Sequence, residues 1–592
     1  MSDDEDTTRS QKRQRKAKEP IKRQTLVTPA GHAKYDATGP LLPPTRLTWM
    51  QVAVSVSLLM FLKVQEEQRR EASQERPAAA ANEPRSEHGF HSTTPHQPFH
   101  HQTPVNQTPL NAPTHTPYSV PSAPSHPSIA SAETAPRFTT TYPAYPHNPA
   151  NPLDNTLPRG LLYKLIDLHF EYIYPLTPIL HRPSFLADLR CRREEQPGEE
   201  EWTAMVLSVI GVTVAQLPAP LVPMSKEEAR HLVHMCYSHV KGWQMKEVET
   251  FTVTRGIMLY FVVLIAALMG HELTATSIRG ILTSIMGAKR FHVESTYTAL
   301  PPFEREQWRR LFWITYNGDR TITVLYDRPP TFAEDECAML NLPVELDDEF
   351  ITPEGYVEPP PDHDHVISGF VYTCKVFRLL GEVLEKRRRD RRNPPRQTAL
   401  GSRLVELDDL NAQVNSLMEH CPASLRLESD APEHSLLHAL DGLGGSDTGS
   451  DLPFPLTSGV RDAYLVQQAN IYVTQQMTRM VILQHREDLH ANLHGFGPQA
   501  VSHRSTLLED REEVVGSVLA VLERIPLHIA AVNTRWLVSK VRYVASTLLD
   551  SVQVERPRSQ EFLWDYLRIL GQLESLYSPA TAEARVSEGG ML

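Results

Sequence analysis

From Pro158 onward the apolar positions of the chain recur at helical spacing. Leu161, Leu165, Leu168 and Tyr172 fall at i, i+4, i+7 and i+11, one face of a helix that Pro175 is expected to end. Ile278, Leu282, Ile285 and Met286 form a second stripe, and Leu537, Val541, Val544 and Leu548 a third. Ser225 followed by Glu228 reads as a capping box ahead of the apolar residues 229–236. The apolar run from Ile257 to Met269, bounded by Gly256 and Gly270, is too short to cross a bilayer and reads as a buried core helix. No sustained period-2 alternation with hairpin turns appears in this half. The expected fold class is therefore all-α: a multi-helix domain over residues 158–426 whose C-terminal helices, 456–578, follow a flexible acidic and Gly-rich loop at 427–455. A disordered tail is expected at 579–592.

The first part of the chain lacks this pattern. Residues 78–157 are rich in Pro, His, Ser and Thr and cannot bury enough apolar surface to offset chain entropy, so a disordered linker is expected. His91, His96, His100 and His101 lie in it without a scaffold that would turn them into a metal site. Residues 47–77 read as an apolar and then charged helix, a linker with a coiled-coil stub. Its apolar part, LTWMQVAVSVSLLMFL, holds Gln51, Ser55 and Ser57 and falls short of the roughly 20 residues of a membrane span. Residues 1–46 form a polar tail that does not read as a secretory signal. Lys12, Arg13, Arg15, Lys16 and Lys18, then Lys22 and Arg23, make two basic clusters with a short spacer, a candidate nuclear import signal. Localisation in the nucleus is the expectation.

A net charge of −12 argues against bulk nucleic-acid binding. Five cysteines, Cys191, Cys236, Cys337, Cys374 and Cys421, lie far apart with no C-x-x-C pair, which suits reduced packing residues rather than a disulfide framework or a zinc site. No phosphate loop, nucleophile elbow or dinucleotide fingerprint is present, so an enzyme is not expected, nor catalytic or cofactor-binding residues. His271-Glu272 lacks the second histidine of a zinc-protease helix. Asp362-His363-Asp364-His365, beside Pro359, Pro360 and Pro361, reads as a loop of solvated charge in preference to a metal site. The run EKRRRDRR at 385–392 reads as a solvated helix end and loop, with a second import signal as the alternative.

One helix carries an awkward charge. In EREQWRRLFWITYNGDRTITVLYDRPP, residues 304–330, Trp308, Leu311, Phe312, Thr315 and Ile322 share a face on which Asp319 also falls. A carboxylate on a buried face is costly unless paired. Arg328, held by Pro329, is the first candidate partner and Arg320 the second; a partly exposed, unpaired Asp319 is the alternative.

These stretches carry a resemblance. YPLTPI followed by His181, Arg182, Pro183, Ser184 and Phe185 resembles the opening motif of the fungal-specific transcription factor domain, the middle homology region of binuclear zinc-cluster regulators. Arg309, Arg310, Leu311, Phe312 and Trp313, then Asp319, Arg328 and Pro329, then LPVELDDE at 342–349, are similar to its second and third motifs. NIYVTQQMTRMVILQHRE from Asn470 and LVSKVRYVASTLLD from Leu537 also resemble it, particularly its basidiomycete members, giving coverage of roughly residues 158–575.

The resemblance implies an all-α regulatory domain, with the His181–Phe185 hinge turning one helix onto the next and the Arg and Asp residues structural. It implies regulation of transcription by RNA polymerase II, with protein partners or a homodimer. It also implies DNA binding through six cysteines and two zinc ions, but no cysteine precedes Cys191, so zinc and direct DNA contact are expected only if such a cluster is restored. For Leu47–Leu62 three readings stay open: a non-native translation where exons encoding the cluster were mis-assigned, a partner-binding helix, or a membrane anchor. The function alternatives are a co-regulator or decoy that binds partners without touching DNA, and a membrane-tethered regulator. Asp327 stands where the family usually has glycine before Arg-Pro, which leaves the geometry of that turn open.

Overall fold

The apolar stripes become helices that bury them against one another. The computed structural model describes residues 148, 151–243, 246, 248–361, 363–427, 459–494, 498–548 and 557–581. The candidate import residues Lys12 to Arg23, the apolar stretch 47–62, Asp362 and the expected loop after Leu427 lie outside them. The helices are α1 (Pro152–Thr156), α2 (Arg159–Leu168), α3 (Arg182–Arg190), α4 (Glu200–Gln216), α5 (Lys226–Val240), α6 (Val253–Leu268), α7 (Glu272–Ala288) and α8 (Pro302–Tyr326). Then come α9 (Glu334–Cys337), α10 (Ile367–Arg392), α11 (Gln397–Ser416), α12 (Gly459–His494), α13 (Pro498–Arg524), α14 (Leu527–Ala530), α15 (Thr534–Ser546) and α16 (Pro557–Ser575). A two-residue antiparallel pair, Ile351–Thr352 with Gly355–Tyr356, is the one sheet among the described residues.

Two helical layers share one core. In the first, α4 packs on α5 and α6, and α6 on α7; Gly211 permits this, because a Cβ there would lie 3.0 Å from both Cys236 Cβ and Ile265 Cδ1. In the second, the long α12 packs against α10, α11, α13 and α15. Helix α8 joins them through contacts with α6 and α10. The three stripes all face inward: Leu161, Leu165, Leu168 and Tyr172, Ile278, Leu282, Ile285 and Met286, and Leu537, Val541, Val544 and Leu548 are all buried. Each full burial of such a side chain is worth about 1.5–3 kcal/mol. The Ser225–Glu228 capping box forms, and the run from Ile257 is the core of α6. Among the described residues no single helix is long and apolar enough to cross a membrane.

Three local expectations need correction. The stretch 151–157, read as the end of a polar linker, instead forms a short helix and is mostly buried: Asn151 Oδ1 accepts from the backbone of Leu153 and Asp154, Pro152 sits in the first turn where a missing N–H costs nothing, and Leu153 is fully covered. The helix before Pro175 is not α to its end; at His169–Ile173 it widens to a π turn, with Tyr174 N donating to His169 O at 2.8 Å. His169, at the start of that turn, is fully buried; its Nδ1 lies 2.9 Å from Thr213 Oγ1, and burial pushes its pKa down to about 3. The basic run 385–392 is a helix end, as expected, and wholly within α10 with no loop, and only part of it is solvated. Asp390 is buried against His485 Nε2 at 2.9 Å, Arg387 pairs with Asp488 at 3.0 Å, and Arg389 reaches Asp335 and Glu385.

Candidate functional site

The elbow between α2 and α3 is closed by its own sequence. His181 caps α3: its Nδ1 accepts from Ser184 N at 3.4 Å. Its Nε2 lies 3.0 Å from both Asp348 O and Ile351 O, so that nitrogen carries the proton. Arg182 and Pro183 occupy the first turn, where proline's fixed φ suits a helix start. Phe185 packs on Phe170 and Trp202, at centroid distances of 5.8 and 5.2 Å.

Asp348, 167 residues further on, fastens this elbow to α8. Its Oδ1 accepts from Arg310 Nη1 at 2.5 Å, and its Oδ2 accepts from Tyr174 Oη at 2.6 Å and from Arg182 N at 2.7 Å. Arg310 also donates to the carbonyls of Pro178 and Leu346. Burial opposes the charge of Arg310, but Asp348 and Tyr174 outweigh it and hold the guanidinium above its usual pKa. Burial, with Asp348 second, pushes the Tyr174 phenol well above its usual value. One residue earlier, Arg309 grips Glu294 with two bonds of 2.7 and 2.8 Å and donates to Asn341 O, which also accepts from Trp313 Nε1 at 2.8 Å.

Asp319 forms a second clamp, two turns along α8. It is buried, and its carboxylate accepts from Thr331 N at 2.9 Å, Arg320 Nη1 at 2.9 Å and Arg279 Nη1 at 3.1 Å. Arg320 continues to Phe332 O and Glu334 Oε2, each at 2.9 Å, and Tyr316 Oη also donates to Glu334. The first candidate partner, Arg328, is exposed and bonds Thr276 Oγ1 at 3.2 Å instead. The reason is the left-handed turn at Asp327, φ 49°, which directs the chain away from the buried face before Arg328 is reached. Asp327 thus adopts the conformation that glycine would take; among non-glycine residues Asp is one of those that tolerate it. Ile322, expected on the buried face, is half-buried at the edge of a cavity.

That cavity, about 170 Å³, lies between α6, α7, α8, α10, α12 and α15. Its walls are mostly apolar, as at Val263, Ile314 and Phe377. Lys540 of α15 closes one side, fully buried, with Nζ donating to Thr474 Oγ1 at 2.8 Å and Asn470 Oδ1 at 2.9 Å. Burial pushes its pKa down to about 7. Asn317, also on the wall, has a buried Oδ1 without a hydrogen-bond partner.

The sequence reading missed Arg279, Glu334 and Lys540, and it quoted Asp348 only as part of the 342–349 motif, without its partners. For Lys540 a signal existed: it stands three residues after Leu537 and four before Val544, on the apolar stripe of its own helix. The other three are partners across elements, invisible to local spacing.

His363 and His365, read as part of a loop of solvated charge around the undescribed Asp362, come within 4.8 Å of each other and of Asp347, from the 342–349 motif. The Asp347 carboxylate is used in accepting from Val366 N and Ile367 N, which caps α10. Among the described residues, the zinc cluster that the resemblance implies finds no fitting set of cysteines. Cys191 is exposed, contrary to the packing expectation, because α3 ends there at the surface. The other four cysteines are buried on separate elements, and burial pushes the thiols of Cys236, Cys337 and Cys374 up to about 12, against the thiolate a metal needs.

Comparison with known proteins supplies the family. Transcriptional activator protein acu-15 of Neurospora crassa is 23% identical over 280 residues, 46% of this chain and 28% of its own length. Cutinase transcription factor 1 alpha of Fusarium vanettenii is 22% identical over 301 residues, 48% of this chain and 30% of its own length. Xylanolytic transcriptional activator xlnR of Aspergillus clavatus is 33% identical over 97 residues, 16% of this chain and 10% of its own length. The chain therefore spans less than a third of the length of each of these relatives. No solved structure matches it. Residues 166–406, from the end of α2 through both clamps into α11, match the fungal specific transcription factor domain.

Proposed function

We propose that this chain is a nuclear regulator of transcription by RNA polymerase II, acting through its all-α domain rather than by catalysis. The observation that carries this reading is the domain match over 166–406, together with relatives named as transcriptional activators and a transcription factor. The two ionic clamps suit such a role: every charged group in them is spent on another group of the protein, which fixes one arrangement of helices and leaves no group poised to react. The domain regulates activity and holds protein partners or a second copy of the chain.

The test is chromatin crosslinking of the tagged full chain, with transcript levels compared before and after deletion. Promoter occupancy with altered transcripts at the same genes supports the reading. A chain found only outside the nucleus, with no transcript changed by its deletion, overturns it.

A second reading, a co-regulator or decoy that binds partners without touching DNA, is favoured by one observation: within these 592 residues no cysteine precedes Cys191. The purified full chain with added zinc separates the two. Specific DNA affinity that falls steeply with salt marks a direct reader, because each phosphate contact releases counterions. Promoter occupancy in cells without such affinity marks recruitment through a partner. A membrane-tethered form of the regulator predicts that the chain stays with membranes after carbonate extraction.

A further inference from the structure

The cavity between α6, α7, α8, α10, α12 and α15 has features that packing alone does not explain. Its volume, about 170 Å³, is comparable to an engineered apolar cavity of about 150 Å³ that takes up benzene. Open at one edge past Tyr326 and Arg328, the cavity reaches into a core whose atoms otherwise pack closely. Its wall is not uniformly apolar. A lysine stands on it, fully buried, with acceptors for two of its three N–H groups and its ammonium 5.3 Å from the centre of the Phe377 ring. A buried ammonium normally has a carboxylate beside it.

None is provided here. The groups around Lys540 are Asn470 and Thr474 of α12 and Phe377 of α10, all uncharged. Of the charged residues on the cavity wall, Glu272 is bound by Arg535 and Arg279 is bound by Asp319, while Arg328 lies exposed at the edge beside Tyr326. Among the uncharged polar groups of the wall, Asn317 Oδ1 is buried and unpartnered, at a cost of about 1–3 kcal/mol unless something donates to it. The uncompensated charge in the wall is thus positive and deep, the entrance carries a further arginine, and the rest is mostly apolar with uncharged polar groups such as Gln216, Thr315 and Asn533.

We propose that this cavity binds a small apolar monocarboxylate, its carboxylate on Lys540 Nζ and its hydrocarbon body against Val263, Ile314 and Phe377. The bound anion completes the ion pair that the fold leaves open. Because the walls come from both helical layers and from α8 between them, occupancy stiffens the junction of the layers, which makes the ligand an effector of the domain. Only this last step rests on the function proposed above; the binding itself does not.

The test is calorimetric titration of the full chain with cyclohexanecarboxylate and, as the neutral analogue, cyclohexanemethanol, at pH 6, 7 and 8. The acid should bind at least about tenfold more tightly than the alcohol at pH 6, the order expected of a desolvated ion pair. Burial puts Lys540 near pKa 7, so the free lysine is largely neutral at pH 8 and the acid must draw a proton in as it binds. Its affinity should therefore fall by several-fold, up to about tenfold, from pH 7 to pH 8, while that of the alcohol stays level. Titration in two buffers of different ionisation heat should show net proton uptake at pH 7. Lys540→Met should bind both compounds equally and without pH dependence.

Failure of the acid to bind, equal binding of acid and alcohol by the wild type, or absence of proton uptake overturns the proposal; the last two need no variant, so they hold even if Lys540→Met does not fold. Tight, lysine-dependent binding with no effect of the acid on transcripts of the crosslinked genes would keep the site and remove its role as an effector site.

Discussion

Arg310 and Asp348 meet at 2.5 Å with both side chains almost wholly withdrawn from solvent. Asp348 also receives Tyr174 and Arg182 N, so a single carboxylate holds the elbow, the long helix α8 and the segment after it in one register. The motif residues around His181, Arg310 and 342–349 are thus parts of one contact.

Removing one partner of this pair leaves the other charged and buried. Asp348→Ala should destabilise the chain by about 3–5 kcal/mol in urea denaturation. The double replacement Arg310→Met with Asp348→Leu should recover most of that loss, because no charge is then stranded. A single substitution costing under about 1 kcal/mol would show that solvent reaches the pair.

Asp319 and Arg328 should behave oppositely. Asp319→Ala strands Arg279, leaves Arg320 with Glu334 alone and leaves the Thr331 amide without its acceptor, so a loss of about 3–5 kcal/mol is expected. Arg328→Ala, at an exposed position, should change stability by less than about 0.5 kcal/mol. Parallel denaturation curves check both.

The left-handed turn at Asp327 discriminates by side-chain shape. Asp327→Val should cost about 1–2 kcal/mol, since a β-branched residue pays the full steric penalty at positive φ. Asp327→Gly should be close to neutral, the gain in backbone freedom at the turn being offset by the freer unfolded chain. Thermal melts of the two variants provide the comparison.

His169 makes stability depend on acid. Burial holds its folded pKa near 3, below the 6.5 of an unfolded histidine, so below pH 6.5 the unfolded chain binds the extra proton. Stability should therefore fall as pH drops from 6.5 toward 3, by up to about 1.4 kcal/mol per pH unit from this group. His485, also lowered chiefly by burial, adds in the same direction. In His169→Gln the slope between pH 6 and pH 4 should be shallower by about one proton; an unchanged slope would mean that His169 titrates normally.

What the sequence determined by itself is the local order. The period of apolar residues, the Ser225 capping box and the Pro183 helix start are all set by neighbours three or four positions apart, and these helices form where their spacing places them. The same logic singled out Asp319 as a charge facing inward. Tertiary structure decided everything that depends on which helix lies opposite. Arg279, 40 residues upstream, stands nearer to Asp319 than Arg328 does, because the positive-φ turn after α8 carries Arg328 outward. The basic run 385–392 finds acidic partners on α12 and elsewhere, and Lys540 finds a cavity instead of solvent. Helix period is a property of adjacent residues, whereas the partner of a buried charge is fixed by the packing of segments far apart in the chain, which no local spacing encodes.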